Sequence, residues 1–118
     1  MTPESLLDRI DDQHALEFLA SMVRIKTYSG TVGEGELGRL NGVGRWPGAG
    51  GGSSLLFNGH LDTNPATDGW TVDPLGGLYD DDFIYGIGVS NMKAGDAAAF
   101  CAVKTLVDAG VSLQGDVV

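Results

Sequence analysis

The residues best suited to chemistry are His60 and Asp62, which follow directly on the apolar run Leu55-Leu56-Phe57. Two positions apart on an extended chain, both side chains project to the same side. A neutral imidazole is a good zinc ligand, and a neighbouring carboxylate can hold its other ring nitrogen and fix its orientation. The location also suits binding, because ligand-binding residues in open α/β sheets gather at the carboxyl ends of strands. Taken alone, however, His-x-Asp recurs by chance, and an unremarkable histidine beside an aspartate is the commoner reading.

Four other features compete for attention. Gly33-Glu34-Gly35-Glu36-Leu37-Gly38 matches the G-x-G-x-x-G pattern of dinucleotide-binding loops. That function needs a preceding strand and a helix N-terminus that attracts pyrophosphate. No convincing strand precedes this stretch, and its two glutamates would repel phosphate. Asp80-Asp81-Asp82 lacks the spaced oxygen ligands of an EF-hand loop and reads as a solvated hairpin turn. Cys101 lies among alanines in a helical stretch, where a small buried hydrophobe is the ordinary role. His14, near the start of an amphipathic helix, reads as a surface or capping residue.

The elements that must position these residues follow from spacing. Thr2-Pro3 is an N-cap with proline at the first helical position, and Leu6, Leu7 and Ile10 mark one face of a short helix. Asp11 and Asp12 open a second helix carrying Leu16, Leu19, Met22 and Val23 at helical spacing. Thr27 to Gly52 is glycine-rich and aperiodic, and reads as a long loop. Leu55 to Phe57 is predicted to be a strand buried on both faces. Gly77-Leu78-Tyr79 and Phe83-Ile84-Tyr85 form a predicted hairpin. Met92 to Ala109 is a predicted helix with Gly110 as its C-cap, and Gly115 to Val118 begins a further strand. Strand, long helix and strand again indicate an α/β fold with a mostly parallel sheet.

Bulk properties exclude several classes. The chain has 118 residues, which suits one domain, and a net charge of −9. Nucleic-acid and anionic-membrane surfaces need clustered Lys and Arg, so neither partner is expected. No apolar stretch approaches the ~20 residues of a bilayer span. A single cysteine permits no intrachain disulfide. The N-terminus does not read as a signal peptide, so a soluble cytoplasmic protein is expected.

The wider context of His60 changes its reading. Leu55-Leu56-Phe57-Asn58-Gly59-His60-Leu61-Asp62-Thr63 resembles the first metal motif of the M20 family of zinc-dependent peptidases and deacylases, which includes acetylornithine deacetylases and succinyl-diaminopimelate desuccinylases. Trp70-Thr71-Val72-Asp73-Pro74 resembles the loop that follows it. Tyr85-Gly86-Ile87-Gly88-Val89-Ser90-Asn91-Met92-Lys93-Ala94-Gly95 resembles the second motif, at the family's distance from the first. The resemblance implies part of a three-layer α/β/α zinc-peptidase-type catalytic domain, here truncated. It implies His60 as a metal ligand, Asp62 as the catalytic residue that orients it, and Asn91 at the position that bridges two metals. Lys93 and Gly95 are expected to serve the start of the helix. Asn91 also suits the cap of a helix beginning at Met92.

Three departures qualify what the resemblance implies. The bridging position holds a neutral asparagine where the family has aspartate. The stretch before the His-x-Asp strand is short for the family, which implies an internal deletion near residues 33–48. The family's Glu-Glu pair, expected after the strand begun at Asp116, has no counterpart, since Glu4, Glu17, Glu34 and Glu36 all lie upstream. The lid or dimerisation domain is also missing, so residues 1–118 correspond to the N-terminal part of the catalytic domain. The function expected is that of a fragment of a metal-dependent hydrolase of amide bonds in N-acyl amino acids or small peptides, inactive by itself. An intact relative would form a homodimer. Zinc is the implied cofactor, two ions in the family and one or none here. The alternatives are a non-enzymatic remnant or binding module on the same scaffold, or a nucleotide-binding α/β domain. The residues that would bind substrate are not identifiable.

Overall fold

A computed structural model describes residues 2–28 and 41–118. The glycine pattern at 33–38, with Glu34 and Glu36, lies outside the described residues, as does the first half of the proposed deletion.

Helix α1 (Pro3–Leu7) opens as its sequence dictates: the Thr2 hydroxyl accepts a hydrogen bond from the Ser5 amide at 3.3 Å. Helix α2 (Asp12–Arg24) is capped by Asp11, whose carboxylate accepts from the His14 amide at 2.9 Å. His14 therefore sits in a capped first turn, as expected. The predicted hairpin is present as β1 (Leu78–Tyr79) and β2 (Ile84–Tyr85), antiparallel with Leu78 opposite Tyr85. Asp80 builds its turn by accepting from the amides of Asp82 at 2.9 Å and Phe83 at 2.8 Å. These bonds hold the Asp80 carboxyl below its ordinary pKa, so the acidic cluster works as a turn.

Helix α3 (Ala94–Asp108) starts two residues later than expected. Its end is as predicted: Gly110 takes φ +69°, its amide donates to Val107, and the Val111 amide reaches back to Leu106. Both bonds satisfy carbonyls that the last turn would otherwise leave open, and glycine adopts that left-handed step without a β-carbon clash. Cys101 is buried on α3, as a small hydrophobe.

The core lies where α2, α3 and the hairpin meet. Leu19 and Val23 from α2 pack on Ala97 from α3, joined by Phe18, Met22, Ile84 and Val89. Phe18 stacks on Phe100 with ring centroids 4.6 Å apart.

The Leu55–Phe57 run departs from expectation. Leu55, Leu56 and Phe57 are 53%, 66% and 45% exposed, not buried on both faces. The core gathers instead where α2, α3 and the hairpin meet, and this run is not part of it. Its backbone does pair in the expected direction: Leu55 bridges Val117 in parallel, with the Leu55 amide donating to Asp116 and the Val118 amide to Leu55. The supposed long loop also contributes. Trp46 bridges Val117 from the other side, antiparallel, so the terminal segment lies between two extended stretches. Among the described residues the architecture is a mixture of helices and a few short strands.

Asp116 ties this layer together. Its carboxylate accepts from the Gly48 amide at 2.9 Å and from Arg45 at 2.9 and 2.6 Å. The Gly48 amide first, then Arg45, holds the Asp116 pKa below the usual 3.8. A carboxyl depressed on folding stabilises the folded state above its unfolded pKa, and that stabilisation is lost as pH falls through the folded value. Exchange of the Trp46 amide, which donates to Val117, should therefore accelerate as pH drops below about 3.8 once the intrinsic rate is divided out. Asp116→Asn should remove that acid dependence. An unchanged protection factor down to strongly acid pH would contradict the assignment.

Candidate metal site

His60 lies in the loop that leaves the Leu55–Phe57 stretch. Its Nδ1 is 3.0 Å from the Asp62 carbonyl oxygen and 3.2 Å from the Asp62 carboxylate. Both are acceptors, and a ring protonated at Nδ1 would donate to them. In the neutral ring Nε2 then presents a lone pair. The i, i+2 spacing thus does what the sequence suggests, placing both side chains on one side of the chain.

Asn91 reaches the same place from the other motif. It sits in the turn Val89–Lys93, where the Lys93 amide returns to the Gly88 carbonyl at 3.0 Å. Within this turn Asn91 has φ −154° and ψ 94°, an extended conformation, and the Asn91–Met92 peptide is cis. Asn91 is not the cap of α3, which begins three residues further on, at Ala94. The N-cap position belongs to Lys93, and no side chain bonds there. Instead the Asn91 Oδ1 lies 3.2 Å from the His60 Nε2.

Gly88 makes this approach possible. It has φ +79°, and a β-carbon there would run into the Thr63 methyl, one residue beyond Asp62. Thr63 is in turn held by the segment leaving α2: its amide donates to the Thr27 carbonyl at 3.3 Å, and Tyr28 bridges Thr63 in parallel.

Lys93 is the residue whose importance the sequence did not reveal. It is 1% exposed, the largest of the fully buried side chains among the described residues. Its Nζ donates to the carbonyls of Met22 at 2.8 Å and Ile25 at 3.2 Å, closing the end of α2. Burial pulls its pKa below the ordinary lysine value. It does serve a helix terminus, but the far one, and its side chain takes no part in starting α3.

Two polar side chains meet here, one from each motif. Nε2 of His60 and Oδ1 of Asn91 lie 3.2 Å apart, and with the ring proton on Nδ1 both atoms present lone pairs. Two ligands of one tetrahedral zinc at 2.0–2.1 Å from the metal lie about 3.3 Å apart. Asp96, in the first turn of α3, packs its carboxylate against Gly59, and its Oδ2 is buried without a hydrogen-bond partner. Thr27 and Thr63 hydroxyl oxygens are likewise buried and unpartnered among the described residues. The described residues contain no group of three or more His, Cys, Asp or Glu side chains able to enclose a metal. Among the described residues, His60 Nε2 and Asn91 Oδ1 are the polar atoms of the two motifs that meet.

The family model described as Peptidase family M20/M25/M40 matches residues 56–118, more than half of the chain. The chain belongs to this family. A succinyl-diaminopimelate desuccinylase from Ruegeria pomeroyi is 39% identical over 99 residues, covering 81% of this chain and 26% of that protein. One from Nitratiruptor sp. is 49% identical over 53 residues, covering 45% of this chain and 15% of the relative. One from Helicobacter hepaticus is 40% identical over 54 residues, covering 46% and 14% respectively. The chain thus spans about a quarter or less of the length of these relatives. The match begins at Leu56 and includes both motifs that meet at His60 and Asn91. No helix among the described residues is long and apolar enough to cross a membrane.

A bare Nε2 facing Asn91 requires one tautomer. At a pH where His60 is neutral, nitrogen-15 spectra of its imidazole should report a proton on Nδ1 and a bare Nε2. A ring protonated mainly on Nε2 would refute the arrangement, since Asn91 would then be a hydrogen-bond acceptor and the lone pair would face Asp62.

Proposed function

We propose that this chain carries one side of the metal site of an amide hydrolase, whose substrate is an N-acyl amino acid of the N-succinyl type. The convergence of His60 and Asn91 from motifs 31 residues apart is the observation that carries this reading. The succinyl preference rests only on the names of the relatives. In this reading the described elements are part of a three-layer α/β/α domain, and the protein acts on a small molecule in the cytoplasm.

His60 Nε2 and Asn91 Oδ1 are the groups that would hold zinc. When bound, zinc would polarise the scissile carbonyl and lower the pKa of a coordinated water. Asp62 contributes by accepting the Nδ1 proton, which keeps the other nitrogen unprotonated and the ring correctly aimed. Asn91 presents one neutral oxygen. An aspartate at this position would supply a negative charge and an oxygen to each of two metals, so Asn91 favours a single ion or a weakly held second one. No glutamate follows His60 in this chain, so it contains no candidate for the general base at that side of the sequence. Positioned proton transfer typically contributes ~10²–10⁴ in rate.

A binding module on the same scaffold is the second reading, favoured by the neutral Asn91 and the small number of ligands. Metal titration followed by calorimetry tests both. Wild type should bind at most one zinc tightly, His60→Ala should abolish that binding, and Asn91→Asp should tighten it and raise occupancy toward two. Two tightly held ions in wild type, or His60→Ala binding as wild type does, would sink the assignment. The 118-residue chain alone should show no chelator-sensitive hydrolysis of N-succinyl or N-acetyl amino acids; turnover abolished by chelator would show that the missing base is not missing.

A further inference from the structure

We propose that Lys93 is a positioning residue: by pinning the end of α2, its ammonium sets the approach of Asn91 to His60. This rests on the metal-site reading for its consequence, but its geometry does not depend on any bound ion.

Three separate stretches meet along this one side chain. The Nζ holds the Met22 and Ile25 carbonyls, 71 and 68 residues away in sequence. The Cδ and Cε methylenes lie 3.4 Å from where a β-carbon on Gly88 would stand, beside the Thr63 methyl. The backbone of Lys93 closes the turn containing Asn91, through its amide to Gly88. The segment that Nζ anchors continues to Thr27 and Tyr28, which pair with Thr63 next to Asp62. Lys93 therefore touches the supports of both arms of the site: the stretch beside His60 and Asp62, and the turn carrying Asn91. Nothing in this arrangement brings the ammonium to the ligands themselves. Its two acceptors are at the opposite end of the side chain, so it acts through the backbone of others.

The charge is suited to the place. The end of a helix concentrates partial negative charge on its last carbonyls, and a cation there is favoured. Removing the ammonium would leave two carbonyls facing a buried, now apolar, side chain. The end of α2 would then shift to find other donors, and the Thr27–Tyr28 segment would move with it.

The test compares Lys93→Met with Lys93→Gln and with Leu19→Val, a loss in the same core that leaves the turn untouched. The probes are the His60 imidazole nitrogen-15 shifts and the Asn91 side-chain amide resonances in metal-free protein. Lys93→Met should move both sets. Lys93→Gln, which retains a neutral donor, should move them less, and Leu19→Val should leave both in place. Wild-type positions in Lys93→Met, or an equal displacement in Leu19→Val, would overturn the proposal. Failure of both lysine variants to fold while Leu19→Val folds would overturn it too, by making Lys93 a requirement of the fold and not of the geometry at His60. These spectra need no metal, so a wild-type chain that fails to bind zinc would refute the metal-site reading and leave this one standing. If wild type binds cobalt(II), Lys93→Met should weaken it by about tenfold, the size expected for a residue that orients ligands without touching the metal.

Discussion

Helix α2 ends with the carbonyls of Met22 and Ile25 turned toward the buried Lys93 side chain, although the Ile25 side chain itself is exposed. A buried carbonyl without a donor costs as much as a lost hydrogen bond, so a helix can finish there only if something supplies protons. The Ile25 amide donates to Met22 at 3.3 Å, and the Lys93 ammonium meets both carbonyls. The lysine can do this only from a fixed backbone position, which requires the tight Val89–Lys93 turn and the left-handed Gly88 before it. Once that turn is formed, Asn91 is extended and its side chain is thrown clear of the helix that follows. The end of one helix thus dictates where a side chain of the second motif stands.

The same constraint explains why the core is where it is. Val23, the penultimate residue of α2, is fully buried, and Gly86 on the hairpin's exit passes so close to it that no β-carbon would fit. Arg24 follows, donating to the Gly76 carbonyl at 3.2 Å and so holding the hairpin's entry. The last turn of α2 is therefore gripped by both ends of the hairpin and by Lys93. The beginning of α2 is capped locally by Asp11, and Gln13 donates to the Tyr79 hydroxyl of the hairpin at 2.9 Å. The Leu55–Phe57 stretch has no comparable grip from the helices. Its order comes from backbone pairing with Asp116 to Val118 and from the Asp116 carboxylate, which leaves its side chains exposed.

Local signals were legible wherever the physics is local. Thr2, Asp11 and Gly110 do at the helix ends what their types suggest, because a cap is decided within four residues. Asp80 makes its turn for the same reason. The partnership of His60 with Asp62 is legible too, since strand geometry alone puts alternate side chains together. The meeting of His60 with Asn91 is not written in either stretch; only the resemblance of both motifs to one family made it expected. The burial assigned to Leu55–Phe57 failed because apolar composition says that a segment could be covered, not that a layer is present to cover it. The start of α3 was misplaced at Met92 because the run is helical in composition, while the Asn91 and Met92 dihedrals are set by the turn's closure on Gly88.

Lys93 shows the limit of composition most clearly. A lysine is almost never fully buried unless it is paired, so a sequence reading places it on the surface or at a helix end by default. Here the pairing groups are neutral carbonyls 71 and 68 residues upstream, and no charge pattern announces them. A carboxylate partner would have left a complementary charge to look for, whereas backbone carbonyls are present at every position and mark none. The feature that could have pointed to it is negative: α2 has Arg24 as its basic residue in the last turn, yet Arg24 turns outward to Gly76 and leaves the helix end to be closed by another residue. That demand on the chain exists only once α2 and the hairpin are packed together, which is why it becomes visible in three dimensions and not along the sequence.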